Sequence, residues 1–167
     1  GLRRNIMTQS EQKTLVANTA IDTLIEKGKI FSGMKIGLGT GSTAIPAVYR
    51  LAEHIKSGEL KDIKAVVTSF QTQNVCQELD IPVYSMNDRA IGGHLDLSID
   101  GADEVTPDCF CIKGGGAAHV REKLVEYNSD IFVVVADSTK AVDTIGTKFA
   151  VPVEIIESAR VPVTNAL

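Results

Sequence analysis

The stretch Met34-Lys35-Ile36-Gly37-Leu38-Gly39-Thr40-Gly41-Ser42-Thr43-Ala44 decides the fold class of this chain. An apolar run, Met34 to Leu38, enters a turn of glycines and hydroxyls. A helix pattern over residues 44–57 follows at once, with Pro46 in the first turn, where its missing N–H costs nothing. Strand, glycine turn and helix in that order open a βαβ unit. The alternation continues outward. Ile63 to Val67 and Ile81 to Tyr84 read as strands, with a helix over 71–79 between them. Leu95 to Ile99 reads as a strand ending in acidic residues. Residues 116–127 read as a helix after three glycines, and Ile131 to Val135 as the clearest buried strand. Upstream, Ala17, Ala20, Ile21 and Leu24 fall at i, i+3, i+4 and i+7, so 9–27 reads as a helix with Gly28 at C′. Strands alternating with helices predict an α/β fold, a Rossmann-like, mostly parallel sheet with helices on both faces. Ligands of such sheets sit beyond the carboxyl ends of the strands, so the chemistry is expected just after each apolar run.

Three segments meet that expectation. In Gly37 to Ala44, glycines let the backbone turn tightly, and the helix start offers free N–H groups and a positive dipole end to a phosphate. Ser42 and Thr43 add hydroxyl donors or a helix cap. Anion binding and an ordinary capped βα turn fit this motif equally well. The spacing is G-x-G-x-G, and no G-x-x-x-x-G-K-[ST] is present, so it is not a nucleotide P-loop. The second strand ends in Thr68-Ser69-Phe70 without an acidic residue for a ribose hydroxyl, which disfavours a nicotinamide cofactor. The second segment, Asp100-Gly101-Ala102-Asp103-Glu104, puts three self-repelling carboxylates at a strand end. It fits a solvated acidic turn, a cation site or a polyhydroxy substrate site, and Gly101 favours close backbone approach. The third, Lys113-Gly114-Gly115-Gly116, sets a point charge and backbone N–H donors at a helix start, an anion or carbonyl-oxygen site. Glu122 and Glu126 follow on that helix, and one is expected at the site with the other on the surface. Lys140 comes directly after the last strand, as a substrate contact or a surface lysine. His54, His94 and His119 are isolated and read as structural or surface residues.

Composition narrows the function classes. The chain has 167 residues, enough for one domain, or one domain and part of another. Lys and Arg number 17 against 21 Asp and Glu, a net charge of −4, which argues against binding nucleic acid by phosphate neutralisation. Tryptophan is absent and aromatics are 5%, so a base-stacking platform is not expected either. The longest apolar run, Ile131 to Ala136, is far below the roughly 20 residues of a membrane span. Gly1 to Met7 has charge but no apolar core, so it does not read as a secretory signal, and Met7 is a candidate natural start. Cys76, Cys109 and Cys111 make a poor disulfide framework and read as buried or half-buried free thiols of a reducing compartment. No metal site is expected.

Taken in order, GLGTGSTA at 37–44, LDLSIDGADEV at 95–105 and IKGGGAAHVREKLVE at 112–126 resemble type A ribose-5-phosphate isomerases. FVVVADSTK at 132–140 and VPVEII at 151–156 match as well, so the resemblance spans roughly residues 10–160. It implies a cofactor-free, cytoplasmic aldose–ketose isomerase of the pentose phosphate pathway, acting on ribose 5-phosphate and ribulose 5-phosphate. Glu122 takes the place of the general base, with Asp100, Asp103 and Lys113 serving ring opening and the enediolate. Thr40, Gly41, Ser42, Thr43, Gly101, Ala102, Gly114, Gly115, Gly116 and Lys140 take the place of substrate contacts. The resemblance also implies a homodimer or homotetramer.

The chain departs from the family in three places. Thr68-Ser69-Phe70-Gln71-Thr72 replaces a serine-rich run, and His119-Val120 stands where Leu-Thr is common. Family members also continue past Val161-Pro162-Val163 into a smaller α+β domain. The expected organisation is therefore an extension over 1–9, disordered or vector-derived, a catalytic α/β domain over 10–150, and the truncated start of a second domain over 151–167. A non-catalytic sugar-phosphate-binding or sensor domain of the same fold is the alternative.

Overall fold

The computed structural model describes residues 6–167, so the first five residues of the expected extension lie outside the described region. The chain runs through α1 (Gln9–Glu26), β1 (Lys35–Leu38), α2 (Ala44–Lys56), β2 (Lys64–Val67), α3 (Phe70–Glu78) and β3 (Leu95–Asp100). It continues with β4 (Glu104–Val105), β5 (Cys111–Ile112), α4 (His119–Tyr127), β6 (Ser129–Val134) and α5 (Arg160–Ala166). Thr8 and Glu11 start α1 with a reciprocal capping box: the Glu11 amide donates to Thr8 Oγ1 at 3.2 Å and the Thr8 amide to Glu11 Oε2 at 3.1 Å. Gly28, at φ +69°, ends the helix in the left-handed conformation that glycine tolerates.

The main sheet has the order β2-β1-β3-β6 and is parallel throughout. The chain builds outward from β1 to β2, then returns to the other side of β1 with β3 and β6. The direction of winding reverses between β1 and β3, and a crevice opens above their carboxyl ends. Residues 39–43 and 100–103 leave the sheet at that crevice.

Helices cover both faces. Ile36, Leu38, Leu97 and Ile99 pack with Ala17 and Ile21 of α1, Val48 and Leu51 of α2, and Cys76 of α3. Val66 and Leu95 pack with Val125 of α4, Met86 and Ile91. Each fully buried Ile or Leu contributes about 1.5–3 kcal/mol, which is why the inner strands read as continuous apolar runs.

Four local expectations change. Residues 81–84 form a single bridge, Ala65 with Val83, because Pro82 has no N–H with which to extend the ladder. The helix expected from 116 begins at His119, since Gly114 (φ +95°) and Ala117 (φ +61°) hold the preceding turn out of the right-handed region. Among the described residues β6 pairs only with β3 and is an edge strand, with Ile131 and Phe132 each 36% exposed. Its β-branched run specifies a strand, but burial depends on neighbours that the run does not encode. Finally, β4 and β5 form a small antiparallel hairpin outside the main sheet. Lys113 therefore follows a hairpin strand, not a strand of the parallel sheet.

Candidate active site

All fourteen residues singled out as site residues line one cleft of about 170 Å³ at the crevice, with Ala118 beside them. The loop after β1 is shaped by Asp100, which is buried at the end of β3. Asp100 Oδ1 accepts the amides of Thr40 at 3.2 Å and Gly101 at 2.7 Å. Gly39 has to be glycine: a Cβ there would fall on the Asp100 carboxyl. Thr40 Oγ1 meets Thr68 Oγ1 and Ser69 Oγ at 2.7 Å, and Thr72 Oγ1 donates to the Gly39 carbonyl at 2.7 Å. The hydroxyls after β2 thus hold the first loop from behind and do not line the cleft.

Thr43 occupies the N-cap position of α2 but makes no side-chain capping bond. Ser42 Oγ accepts from Lys13 Nζ at 2.8 Å. Lys13 escaped sequence reading because it is one lysine on an amphipathic helix, 29 residues from its partner. The packing of α1 on α2 brings its ammonium to the glycine loop after β1.

Lys113 lies at the centre of the site. Its Nζ is 3.2 Å from Asp100 Oδ2, 3.3 Å from Glu126 Oε1 and 3.8 Å from Glu122 Oε1, and it donates to the Gly101 carbonyl. Both glutamates face it, although one was expected at the surface. Their i, i+4 spacing puts them on one helix face, and that face packs inward. Burial pushes the Glu122 carboxyl up to about 7. Lys113 opposes this rise and the nearby Asp100 charge adds to it. Burial pushes Glu126 further, to about 9, helped by the Asp100 carboxylate with which it can share a proton. Burial by itself would lower Lys113, but Asp100, Glu126 and Glu122 together raise it, so it stays an ammonium. A carboxyl that titrates near neutrality beside a fixed cation suits a general base.

Asp103 stands at the mouth and accepts the Gly115 amide at 2.8 Å. A Cβ on Gly115 would lie 2.7 Å from Asp103 Oδ1, so this glycine permits the approach. Glu104, counted with the acidic cluster, turns away from the cleft. It is fully buried and accepts the amides of Gly146, Lys148 and Phe149, pinning the loop that follows Lys140. Lys140 lines the cleft, with its ammonium 5.3 Å from the centre of the Phe149 ring. His54 and His94 pair with surface carboxylates, and His119 pairs with Glu154, whose carboxylate also accepts the Val120 amide at the start of α4. Cys76 is buried and Cys111 half-buried, as read, but Cys109 is exposed; all three are free thiols.

The family model for ribose 5-phosphate isomerase A (phosphoriboisomerase A) matches residues 64–167. Ribose-5-phosphate isomerase A of Treponema denticola is 59% identical over 161 residues, covering 96% of this chain and 67% of the relative. The corresponding protein of Treponema pallidum subsp. pallidum is 51% identical, covering 93% of this chain and 61% of the relative. A solved D-ribose-5-phosphate isomerase in complex with phospho-erythronic acid superposes with a TM-score of 0.86 at 38% identity, covering 96% of this chain and 66% of that one. The isomerase of Plasmodium falciparum superposes with a TM-score of 0.85 at 34% identity, covering 95% and 64%. The chain thus spans about three fifths to two thirds of the length of these relatives. With its signature segments gathered around one cleft and these likenesses running through nearly all of it, the chain belongs to the ribose 5-phosphate isomerase A family.

Proposed function

We propose that the protein interconverts ribose 5-phosphate and ribulose 5-phosphate, a step of the non-oxidative pentose phosphate pathway. The observation that carries this reading is Glu122, a buried carboxyl titrating near neutrality 3.8 Å from the Lys113 ammonium on the wall of the cleft. Ring opening moves a proton from the anomeric hydroxyl to the ring oxygen, and Asp100 and Asp103 serve that transfer. In the open-chain aldose, the Glu122 carboxylate takes the proton from C2, and the electron pair forms a C1–C2 double bond. The charge that develops on O1 is held by Lys113. A proton then passes from O2 to O1, and Glu122 returns its proton to C1. Atoms and electrons balance within the sugar, so the step needs no redox partner.

The phosphate is assigned to the loop after β1, where Ser42, Thr43, Lys13 and Lys140 surround the start of α2. The solved relative that holds phospho-erythronic acid, a phosphorylated sugar acid, supports a sugar-phosphate substrate. A non-catalytic binder has no use for a buried base, so the raised proton affinity of Glu122 favours catalysis. We further assign residues 10–150 to a catalytic unit and 151–167 to the start of a second small domain. The half-exposed edge of β6 supports a homodimer or homotetramer, and the three free thiols support a cytoplasmic setting. No helix among the described residues is long and apolar enough to cross a membrane.

The test is Glu122→Gln, followed by proton NMR of the sugar in deuterium oxide. The variant is expected to fold and bind substrate while turnover falls about 10²- to 10⁴-fold. Solvent deuterium should enter at C1 or C2 with the wild type only. Tight binding without exchange in the wild type would establish a sensor instead.

A further inference from the structure

Two cavities meet at Lys113. The substrate cleft touches Lys113 and Glu122 but not Glu126. A second cavity of about 540 Å³ touches Lys113, Glu122 and Glu126. Glu126 thus approaches the lysine from outside the lining of the substrate cleft. Its side chain is 9% exposed and its Oε1, 3.3 Å from Lys113 Nζ, has no hydrogen-bond partner. Among the described residues Asp100 Oδ2, which pairs with the ammonium at 3.2 Å, and Glu122 Oε2 likewise accept no hydrogen bond. Three buried carboxyls around one ammonium would carry two uncompensated negative charges if all were ionised, and such a cluster relieves itself by retaining protons.

We propose that Glu126 is a positioning residue for the isomerisation, holding the Lys113 ammonium against Asp100 and Glu122 from outside the lining of the substrate cleft. The proposal rests on the isomerase reading above. Glu126 faces Asp100 from β3, Cys111 and Lys113 from β5 and the residue after it, and Glu122 on its own helix. His119, Lys123 and Tyr127 also line this cavity. Burial and the neighbouring negative charges push both Glu126 and Glu122 up, so this set holds on to a proton. A proton resting on Glu126, the carboxyl outside the lining of the substrate cleft, leaves Glu122 as the one that changes charge beside the substrate. Lys113 is also braced by the Phe132 ring, 5.6 Å from Nζ. Ring and acid together fix where the cation meets the developing oxyanion.

The experiment compares wild type, Glu126→Leu and Glu126→Gln by steady-state kinetics and by carbon-13 titration of the glutamate carboxyls without substrate. Leucine fills the volume with no polar atom, so kcat should fall about tenfold to a hundredfold while KM changes less than about twofold. Glutamine imitates the neutral acid and should bring kcat back to within about threefold of wild type. The Glu122 titration midpoint should move in the leucine variant and return in the glutamine variant. Unchanged kcat and an unmoved midpoint in the leucine variant would overturn the proposal while leaving the isomerase reading intact. A glutamine variant as impaired as leucine would also overturn it, by showing that Glu126 acts as an anion. If leucine prevents folding, Glu126→Met, which likewise removes the carboxyl while filling the volume, takes its place by the same criterion. Absence of turnover in the wild type would overturn the isomerase reading, and the Glu126 role in catalysis would fall with it.

Discussion

Replacing Lys113 by methionine removes the ammonium from between Asp100, Glu122 and Glu126 while keeping most of the side-chain volume. At an effective permittivity near 20, an ammonium 3.8 Å from the Glu122 carboxylate contributes about 4 kcal/mol of attraction. That corresponds to about three pH units in the ionisation of the base. In the wild type burial pushes Glu122 up to about 7 with Lys113 opposing the rise. In Lys113→Met the ionised fraction of Glu122 at pH 7 falls by a factor of about 10² to 10³. Loss of the cation that steadies the enediolate costs a further factor of about 10² to 10³, and this part does not depend on pH. The assay is kcat/KM for ribulose 5-phosphate formation from pH 6 to 10. Activity at pH 7 should fall about 10⁵-fold, and the acid limb should move to higher pH, so that part of the loss is recovered at the alkaline end. An acid limb that stays in place, or more than a tenth of wild-type activity at pH 7, would refute the electrostatic account of Glu122.

The remaining predictions concern stability. Gly39→Ala drives a methyl group onto the Asp100 carboxyl and displaces it from the Thr40 and Gly101 amides. A loss of about 3 kcal/mol and about 10 °C in Tm is expected, and a variant as stable as wild type would contradict the close approach. Burial by itself lowers His54, but Glu59 and Asp22 on its two ring nitrogens raise it overall. Its contribution is therefore complete below the unfolded value near 6.5 and is lost as pH rises through the folded value. His54→Gln should lower Tm more at pH 5.5 than at pH 8.5, and equal losses would exclude that linkage. Glu122 and Glu126 are raised by burial, so the stability they contribute is present below the ordinary value near 4.5 and is lost as pH rises through about 7 and then about 9. Urea midpoints measured from pH 5 to 9.5 should decline more steeply for wild type than for the Glu122→Gln/Glu126→Gln double variant; parallel curves would argue against buried, proton-holding carboxyls.

Much of the fold was legible because its signals are local. The i, i+3, i+4, i+7 pattern from Ala17 to Leu24 is the buried face of α1, and the glycine turn after Leu38 leads into α2 at Ala44 as read. What failed was what depends on neighbours. Residues 131–135 look like a central strand but lie on the sheet edge. The β4–β5 hairpin is too short to display a period, and Pro82 reduces an apolar run to a single bridge.

The site divides in the same way. The chain's own sequence determined the residue types of the three segments, their order at strand ends, and the glycines that allow backbone to approach carboxylate, because each is a property of a few consecutive residues. The tertiary structure decided that Lys13 reaches Ser42, that Glu104 turns inward to hold a loop, and that Glu126 joins Glu122 on Lys113. Those outcomes depend on which helix face packs against which strand and on how much water is left around each charge. No run of sequence encodes that, since burial and electrostatic coupling are properties of the assembled neighbours.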